Sequence, residues 1–179
     1  MNRDNIKAFR AGKIGVIPTD TLYGLVSSAL NSSSVERVYA TRRRNLKKPC
    51  IILIPDTESL ALFDITLNAK TRQCLNSVWP GPVSVILPCN SDRFEYLHRG
   101  TKTLAFRQPN DEKLIALLKG TGPLIAPSAN VEGRTPATTI EEARAYFGDS
   151  IDLYVDGGTR TGQPSRIAYI EKGELVYVR

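Results

Sequence analysis

Hydrophobic positions along the chain follow two patterns that alternate from beginning to end. Apolar residues spaced three and four apart predict five helices, at 2–10, 33–44, 67–78, 110–120 and 138–148. Short apolar runs between them predict strands at 14–17, 50–54, 83–87, 104–107, 124–126, 153–155, 167–170 and 175–178. This alternation indicates an α/β domain, and a Lys172-Gly173 turn before the last strand requires some antiparallel pairing. We therefore predict a mixed sheet with flanking helices.

Polar residues predict where these elements begin and end. Ser33 or Ser34 is expected to cap the second helix, and Asn110 the fourth. Two threonines before the fifth helix, Thr138 and Thr139, each precede a glutamate by three residues, which is the pattern of a capping box. The segment 18–25 is too rich in proline, glycine and hydroxyl groups to continue a strand, so we expect a loop there.

Composition narrows the class of protein. The chain has 179 residues, of which 41% are hydrophobic and 23% charged, as in one ordinary folded domain spanning 1–179. No apolar stretch is long enough to cross a membrane and no apolar core follows Met1, so we expect a soluble, cytoplasmic protein. The three cysteines match neither a zinc motif nor a redox pair, which predicts free thiols.

Positive charge is concentrated in one segment. The chain has 24 Lys and Arg against 18 Asp and Glu, for a formal charge of +6 and a pI near 9.3. Five of these cations fall within 42–48 with no acid among them. Such a cluster favours an anionic partner such as a nucleotide or RNA. It is equally consistent with a solvated helix end, where cations complement the helix dipole.

The motifs that are missing exclude several kinds of chemistry. His98 is the only histidine, and it lies in a polar stretch away from any hydrolase motif. A Ser-His or Cys-His hydrolase and a tightly bound transition metal are therefore not expected, and neither standard glycine-rich nucleotide loop is present. Three segments, 18–24, 127–136 and 157–165, offer small hydroxyls and backbone N–H groups that suit carboxylates and phosphates. Each alone is typical of an ordinary turn.

Five motifs occur in order along nearly the whole chain: Pro18-Thr19-Asp20-Thr21-Leu22-Tyr23-Gly24-Leu25, Trp79-Pro80-Gly81-Pro82, Leu104-Ala105-Phe106-Arg107, Pro127-Ser128-Ala129-Asn130 and Pro164-Ser165. Together they resemble the YrdC family of threonylcarbamoyl-AMP synthases, in its short single-domain form. The resemblance implies a twisted mixed sheet around a large basic cavity. It also implies a nucleotidyltransferase that makes L-threonylcarbamoyl-adenylate and pyrophosphate from ATP, bicarbonate and L-threonine, with Mg²⁺ arriving on the ATP. Downstream threonylcarbamoyl-transferase proteins would then modify the adenosine beside the anticodon of tRNA.

The resemblance assigns roles to particular residues. ATP-binding residues would be Arg42, Arg44, Lys48, Thr103, Ser128, Asn130 and Arg179. Threonine-binding residues would be Thr21, Arg107 and Ser165, and the planar fork of Arg107 suits both oxygens of a carboxylate. No metal ligand of the protein is implied. This chain departs from the family at Arg42, where the family has lysine.

Two other interpretations remain open at this stage. A basic cavity could grip the phosphate backbone of RNA, as in a ribosome maturation factor without catalysis, although the few aromatic residues form no stacking pattern. The chain could also be a carbamoyl-adenylate module of the hydrogenase-maturation type. Dependence on threonine would separate this module from the synthase.

Overall fold

Most of the predicted elements are present in the structure, a computed structural model that describes residues 2–178. Its strands are β1 (Gly15–Pro18), β2 (Tyr23–Ser28), β3 (Ile51–Leu53), β4 (Val83–Pro88), β5 (Thr103–Arg107), β6 (Leu124–Ile125), β7 (Leu153–Tyr154), β8 (Arg166–Glu171) and β9 (Glu174–Tyr177). Its α-helices are α1 (Arg3–Arg10), α2 (Ser32–Arg42), α3 (Ala69–Asn76), α4 (Glu95–His98), α5 (Glu112–Thr121) and α6 (Ile140–Phe147). In residues 2–178 no helix is both long and apolar enough to span a membrane.

The nine strands of the described chain form one mixed sheet in the order β7-β1-β2-β6-β3-β5-β4-β8-β9. Three neighbouring pairs are parallel, namely β1 with β7, β3 with β5 and β4 with β8. The others are antiparallel, including the β8–β9 hairpin over the predicted Lys172-Gly173 turn. The predicted α/β class and mixed sheet are therefore confirmed.

The prediction of one loop over 18–25 is wrong, because strand β2 begins within it. The loop is only the four residues 19–22, and Tyr23 already pairs with Pro18 across the hairpin. Thr19 makes this tight turn possible: its Oγ1 accepts the N–H groups of Thr21 and Leu22 at 3.2 and 3.3 Å and donates to the Leu22 carbonyl at 2.6 Å. The Thr19 hydroxyl takes the place of the backbone hydrogen-bond partners that are missing in the turn. The polar segment can therefore reverse direction while β1 and β2 stay paired.

Two helix caps and several short helices differ from the prediction. Asn31 caps α2 and Asp111 caps α5, each accepting the N–H three residues on, whereas the neighbouring Ser33, Ser34 and Asn110 do not. At α6 the predicted cap is present in Thr139, which accepts the Glu142 N–H. The Glu142 carboxylate accepts the N–H of Thr138 at 2.7 Å, one residue before the cap, so the predicted box is confirmed only in part. Helix α4 and a 3₁₀ helix over Thr57–Phe63 were not predicted.

Apolar side chains pack on both faces of the sheet. The smaller layer joins Phe9 of α1 to Leu114, Leu117 and Leu118 of α5, as their helical spacing predicted. The larger layer includes Phe63, whose ring lies 5.3 Å from that of Phe94 and 5.0 Å from that of Phe106. The cysteines are free thiols, as predicted. His98, predicted from its neighbours to lie in a polar stretch, is instead fully buried at the end of α4.

Asp152 ties the segment before β1 to helix α2. Its carboxylate accepts the Ile14 N–H at 2.8 Å, and it pairs with Arg37 of α2 at 3.0 Å and with Lys13 at 3.2 Å. Burial opposes ionisation, but these three donors outweigh it, so the pKa of Asp152 lies below its ordinary value. The stability that this carboxylate contributes is therefore complete above the ordinary aspartate pKa and is lost as the pH falls through the lowered one.

We expect Asp152→Ala to lower the free energy of unfolding by about 1–3 kcal/mol at pH 7, because it leaves the Ile14 N–H without its acceptor. Urea unfolding at a series of pH values measures this. The difference from wild type should shrink as the pH drops below about 4. The matched control is the exposed Asp149→Ala, and an equal loss in both variants would contradict the role of Asp152.

Candidate active site

A cavity of about 350 Å³ opens where the β1–β2 hairpin, the segment after β6 and the segment before β8 come together. All three polar segments singled out in the sequence contribute to its wall. The lining residues are Thr19, Thr21, Leu22, Tyr23, Gly24, Arg42, Arg44, Pro49, Ile51, Arg107, Ala126, Pro127, Ser128, Pro136, Pro164, Ser165 and Ile167. Among residues 2–178 this wall contains three arginines and no carboxylate, so the cavity is electropositive.

Backbone pairing brings these segments together. The segment after β6 lies beside the start of β2, because Gly24 bridges Ser128 and the Leu25 N–H donates to the Pro127 carbonyl at 2.9 Å. The segment before β8 is held by Ser165, whose hydroxyl lies 3.0 Å from that of Ser84 on β4. Strand β4 pairs with β5, and this places Ser165 near Arg107 at the end of β5.

Arg42, at the end of α2, is the most constrained cation of the site. Its Nε donates to the Ser128 carbonyl at 2.9 Å, and its Nη2 donates to Ser128 Oγ at 3.0 Å and to Asn130 Oδ1 at 2.9 Å. The residue is only 6% exposed, and its Nη1 has no hydrogen-bond partner in the described part of the chain. Burial first, and then repulsion from Arg44, lowers the pKa of Arg42. A guanidinium nevertheless stays protonated at neutral pH, so an anion in the cavity would relieve both effects.

Arg44 reaches the cavity from a left-handed turn. Arg43 ends α2 with a φ of 52°, and this reverses the chain so that Arg44 also points to the site. The Arg44 guanidinium is anchored by two carbonyls, with Nε 3.1 Å from Lys48 O and Nη2 2.9 Å from Pro49 O. These two bonds use Nε and Nη2 of Arg44, and Nη1 takes no part in holding the loop.

Lys48 is placed differently from the other predicted phosphate ligands. Its side chain is 63% exposed, does not line the cavity, and pairs with Glu132 at 3.1 Å. Glu132 also accepts the Asn45 N–H, and its own N–H donates to the Arg42 carbonyl at 2.9 Å. The Asn45 N–H and then Lys48 lower the pKa of Glu132. Glu132 thus fastens the basic loop 43–48 to the segment after β6.

Arg107 forms a buried ion pair with Asp20 of the hairpin loop. The two side chains are only 5% and 9% exposed. Asp20 also accepts the Asn110 N–H at 3.3 Å, while Arg107 Nε is buried without a partner in the described residues. The Thr21 hydroxyl lies 3.1 Å from that of Thr19 and faces the same cavity. Asp20 thus holds the Nη1 side of the Arg107 guanidinium, and the contacts of the described residues leave its Nε without an acceptor.

The structure brings most of the predicted site residues together. Six of them line the cavity, namely Thr21, Arg42, Arg44, Arg107, Ser128 and Ser165. Asn130 lies behind the wall and contacts Arg42. Thr103 is not in the wall: it lies four residues before Arg107 on β5, about 13 Å along the strand, with its hydroxyl on Thr101 at 3.2 Å. Arg179 lies outside the described residues.

Sequence reasoning missed three residues that shape the site. Asp20 holds Arg107, Glu132 holds the basic loop, and the Tyr23 hydroxyl donates to Gly158 O at 2.8 Å and accepts the Gly157 N–H at 2.9 Å. Asp20 could have been found as the one acid in the hydroxyl-rich hairpin segment. The other two depend on contacts between residues 84 to 135 positions apart, for which a single sequence carries no signal.

A protein-bound metal centre finds no support in residues 2–178. They contain no group of three or more acidic, histidine or cysteine side chains that could hold an ion. Asp20, the acid next to the cavity, is committed to Arg107. The donor set of the cavity consists of cations, hydroxyls and backbone groups, which fits anionic ligands.

Fold and site together define an α/β protein with a basic cavity beside a mixed sheet, and the lining of this cavity suits an anionic or carboxylate ligand. The family model for Sua5, YciO and YrdC, described as telomere recombination, matches residues 7–179. The chain belongs to this family, which confirms the resemblance found in the sequence.

Relatives in this family carry the name threonylcarbamoyl-AMP synthase. The protein from Pyrococcus abyssi is 30% identical over 172 residues, which are 95% of this chain and 51% of that protein. The protein from Bacillus subtilis is 32% identical over 151 residues, 83% of this chain and 44% of its own length. The chain thus spans about half the length of these two relatives. The Idiomarina loihiensis protein is 34% identical over 166 residues, 89% of each chain.

Solved structures show the same fold. Pyrococcus abyssi Sua5 in complex with L-threonine superposes with a TM-score of 0.89 at 29% identity, over 99% of this chain and 53% of that chain. Escherichia coli YciO superposes with a TM-score of 0.85 at 22% identity, over 98% of this chain and 86% of that chain. Because YciO is only 22% identical to this chain, its likeness concerns the fold alone.

We expect Asp20→Ala to destabilise the protein by about 3–5 kcal/mol, because it leaves the buried Arg107 charge without its partner. Urea unfolding followed by circular dichroism measures the loss. The double variant Asp20→Ala/Arg107→Met removes the stranded charge and should recover much of the stability. A double variant no more stable than Asp20→Ala would show that the ion pair is not the cause.

Proposed function

We propose that this chain is a nucleotidyltransferase that makes L-threonylcarbamoyl-adenylate and pyrophosphate from ATP, bicarbonate and L-threonine. The observation that carries the proposal is a pair of buried arginines, Arg42 and Arg107, in the wall of one cavity, each with an unpartnered N–H donor. Two such cations suit two anionic substrates held side by side. The names of the relatives and the threonine bound to Pyrococcus abyssi Sua5 support the same activity.

The triphosphate of ATP would lie against the end of α2. Arg42 Nη1 and the free side of the Arg44 guanidinium would contact its oxygens, and Ser128 would contribute a hydroxyl. Asn130 would act through Arg42, since its amide oxygen is bonded to that guanidinium and its amide nitrogen to the carbonyls of Val131 and Arg134, both at 2.8 Å. Thr103 would not belong to this contact set, because it does not line the cavity.

L-Threonine would bind near the hairpin loop. The half of the Arg107 fork that Asp20 does not hold would take the carboxylate, with the hydroxyls of Thr21 and Ser165 beside it. Asp20 fixes the orientation of the guanidinium and neutralises part of its charge before substrate binds. A carboxylate would therefore find a preorganised partner rather than a mobile side chain.

The chemistry requires no nucleophile from the protein. The threonine amine adds to bicarbonate with loss of water, which gives a carbamate. A carbamate oxygen then attacks the α-phosphorus, the bond to the β-phosphate oxygen breaks, and pyrophosphate leaves. Charge grows on the leaving group, and fixed guanidinium groups stabilise it without reorganisation. This accounts for a site rich in arginine whose lining contains no histidine.

We propose that Mg²⁺ enters with ATP. The ion would take its ligands from phosphate oxygens and water, since the cavity lining contains no carboxylate. When bound, it neutralises part of the phosphate charge.

We further propose that the product serves tRNA modification through separate threonylcarbamoyl-transferase proteins. An adenylate is an activated mixed anhydride, so another enzyme must transfer its acyl group before water does. Within this proposal, tRNA or another RNA would bind to the exposed cations of the basic loop. The affinity for RNA should fall steeply as the salt concentration rises.

Release of pyrophosphate tests the proposal. Purified protein with Mg-ATP and bicarbonate should release pyrophosphate when L-threonine is added, and far less with L-serine or with no amino acid. Arg44→Ala should mainly raise the KM for ATP, and Arg107→Lys, which keeps the ion pair with Asp20 but loses the fork, should mainly raise the KM for threonine. We expect about tenfold or more for each. Release without dependence on threonine, or none from folded protein, would contradict the proposal.

A second prediction concerns Lys48. If Lys48 and Glu132 act as a fastening for the basic loop, Lys48→Met and Glu132→Ala should each raise the KM for ATP by about two- to fivefold, as expected for an exposed ion pair. The double variant should be no worse than Glu132→Ala alone, since that change already removes the contact with Lys48. A lower KM in Glu132→Ala would instead show that freeing Lys48 helps it to bind phosphate directly.

A further inference from the structure

Arg44 owes its position to a carbonyl that another side chain also holds. The Lys48 carbonyl accepts two donors, Arg44 Nε at 3.1 Å and the Tyr39 hydroxyl at 2.9 Å. A carbonyl oxygen has two lone pairs, and here both are used by side chains. The Tyr39 hydroxyl and the Arg44 guanidinium are therefore coupled through one peptide group of the basic loop.

Tyr39 is itself rigidly held. It lies on α2, five residues before Arg44, and is only 1% exposed. The guanidinium carbon of Arg99 lies 4.0 Å from the centre of the Tyr39 ring, and Arg99 pairs with Glu36 of the same helix at 2.9 Å. The Tyr39 carbonyl also accepts the Arg44 N–H at 2.9 Å. Tyr39 thus contacts the segment that carries Arg44 in two ways, through its backbone carbonyl and through its hydroxyl.

The hydroxyl remains a donor under all ordinary conditions. Burial raises the pKa of Tyr39 far above neutrality, so the phenol keeps its proton. The bond to the Lys48 carbonyl therefore does not titrate in the range where the protein would work.

We propose that Tyr39 is a positioning residue for triphosphate binding, which acts through the Lys48 carbonyl to fix the Arg44 guanidinium at the cavity. The inference rests on the proposed function, because it concerns the ATP subsite of that function. Tyr39 does not line the cavity and would touch no substrate. Its hydroxyl holds the peptide plane of Lys48, and the peptide plane then holds Nε of Arg44. Without the hydroxyl the loop keeps its charge but loses one of its anchors.

Tyr39→Phe tests this with minimal disturbance, since it removes the hydroxyl and keeps the ring packed against Arg99. The matched control is Tyr96→Phe, which removes a hydroxyl that donates to the Ala29 carbonyl at 2.9 Å, away from the cavity lining. Titration calorimetry with Mg-ATP gives the Kd without turnover, and pyrophosphate release gives kcat and the two KM values.

Tyr39→Phe should raise the Kd and the KM for ATP by about two- to tenfold relative to Tyr96→Phe, which is the effect of one hydrogen bond. The KM for threonine and kcat should stay close to those of the control. In an Arg44→Lys background, where Nε and the fork are gone, Tyr39→Phe should have no further effect on ATP affinity.

Three results would overturn the inference. These are equal ATP affinity in Tyr39→Phe and Tyr96→Phe, an equal rise in the KM for threonine, and an effect that persists undiminished beside Arg44→Lys. If wild-type protein binds no ATP, both the proposed function and this inference fail. Wild-type binding with an unaffected Tyr39→Phe variant would leave the proposed function standing and remove the inference alone.

Discussion

The buried guanidinium of Arg42 is the constraint on which the site depends. A cation that is 6% exposed must be compensated, and here three hydrogen bonds to Ser128 and Asn130 satisfy two of its three nitrogens. These bonds join the end of α2 to the segment after β6, and they determine the shape of the cavity between them. The third nitrogen, Nη1, is buried without a hydrogen-bond partner in the described part of the chain. These contacts thus stabilise the fold between α2 and the segment after β6. They also keep a buried positive charge at the cavity, which an anion would neutralise.

The rest of the site follows from holding other cations in the same way. Arg107 is fixed by Asp20, Arg44 by two carbonyls, and the loop that carries Arg44 by Glu132. Each of these contacts occupies only part of a guanidinium or of the basic loop. Other N–H donors of the three arginines are not used by these contacts. Oriented charges in a poorly solvated cavity stabilise developing negative charge with little reorganisation. Under the proposed function, such a site would promote adenylate formation by position and electrostatics, with the carbamate of the substrate as the nucleophile.

The fold and the residues that line the cavity could be predicted from the sequence better than the roles of the individual side chains. Alternating apolar patterns located nearly all helices and strands, because these elements depend on local periodicity. Strand β2 was missed because the Thr19 hydroxyl replaces ladder bonds in a turn that reads as a longer loop. The motifs led to Arg42, Arg44, Arg107, Ser128, Thr21 and Ser165, all of which line the cavity. The resemblance implied that Thr103 contacts the nucleotide, but Thr103 does not line the cavity and lies four residues before Arg107 on β5. Glu132 acts through a contact with Lys48 that is 84 positions away in the chain, for which a single sequence carries no signal.

Under the proposed function, Arg42 and Arg107 hold two different anionic substrates in one cavity. A crystal structure with L-threonine and a non-hydrolysable ATP analogue would show both ligands at once. We expect a phosphate oxygen within about 3 Å of Arg42 Nη1, and the threonine carboxylate on the side of the Arg107 guanidinium that does not contact Asp20. A nucleotide bound elsewhere, or a threonine carboxylate on Arg42 with Arg107 still unpartnered, would contradict it.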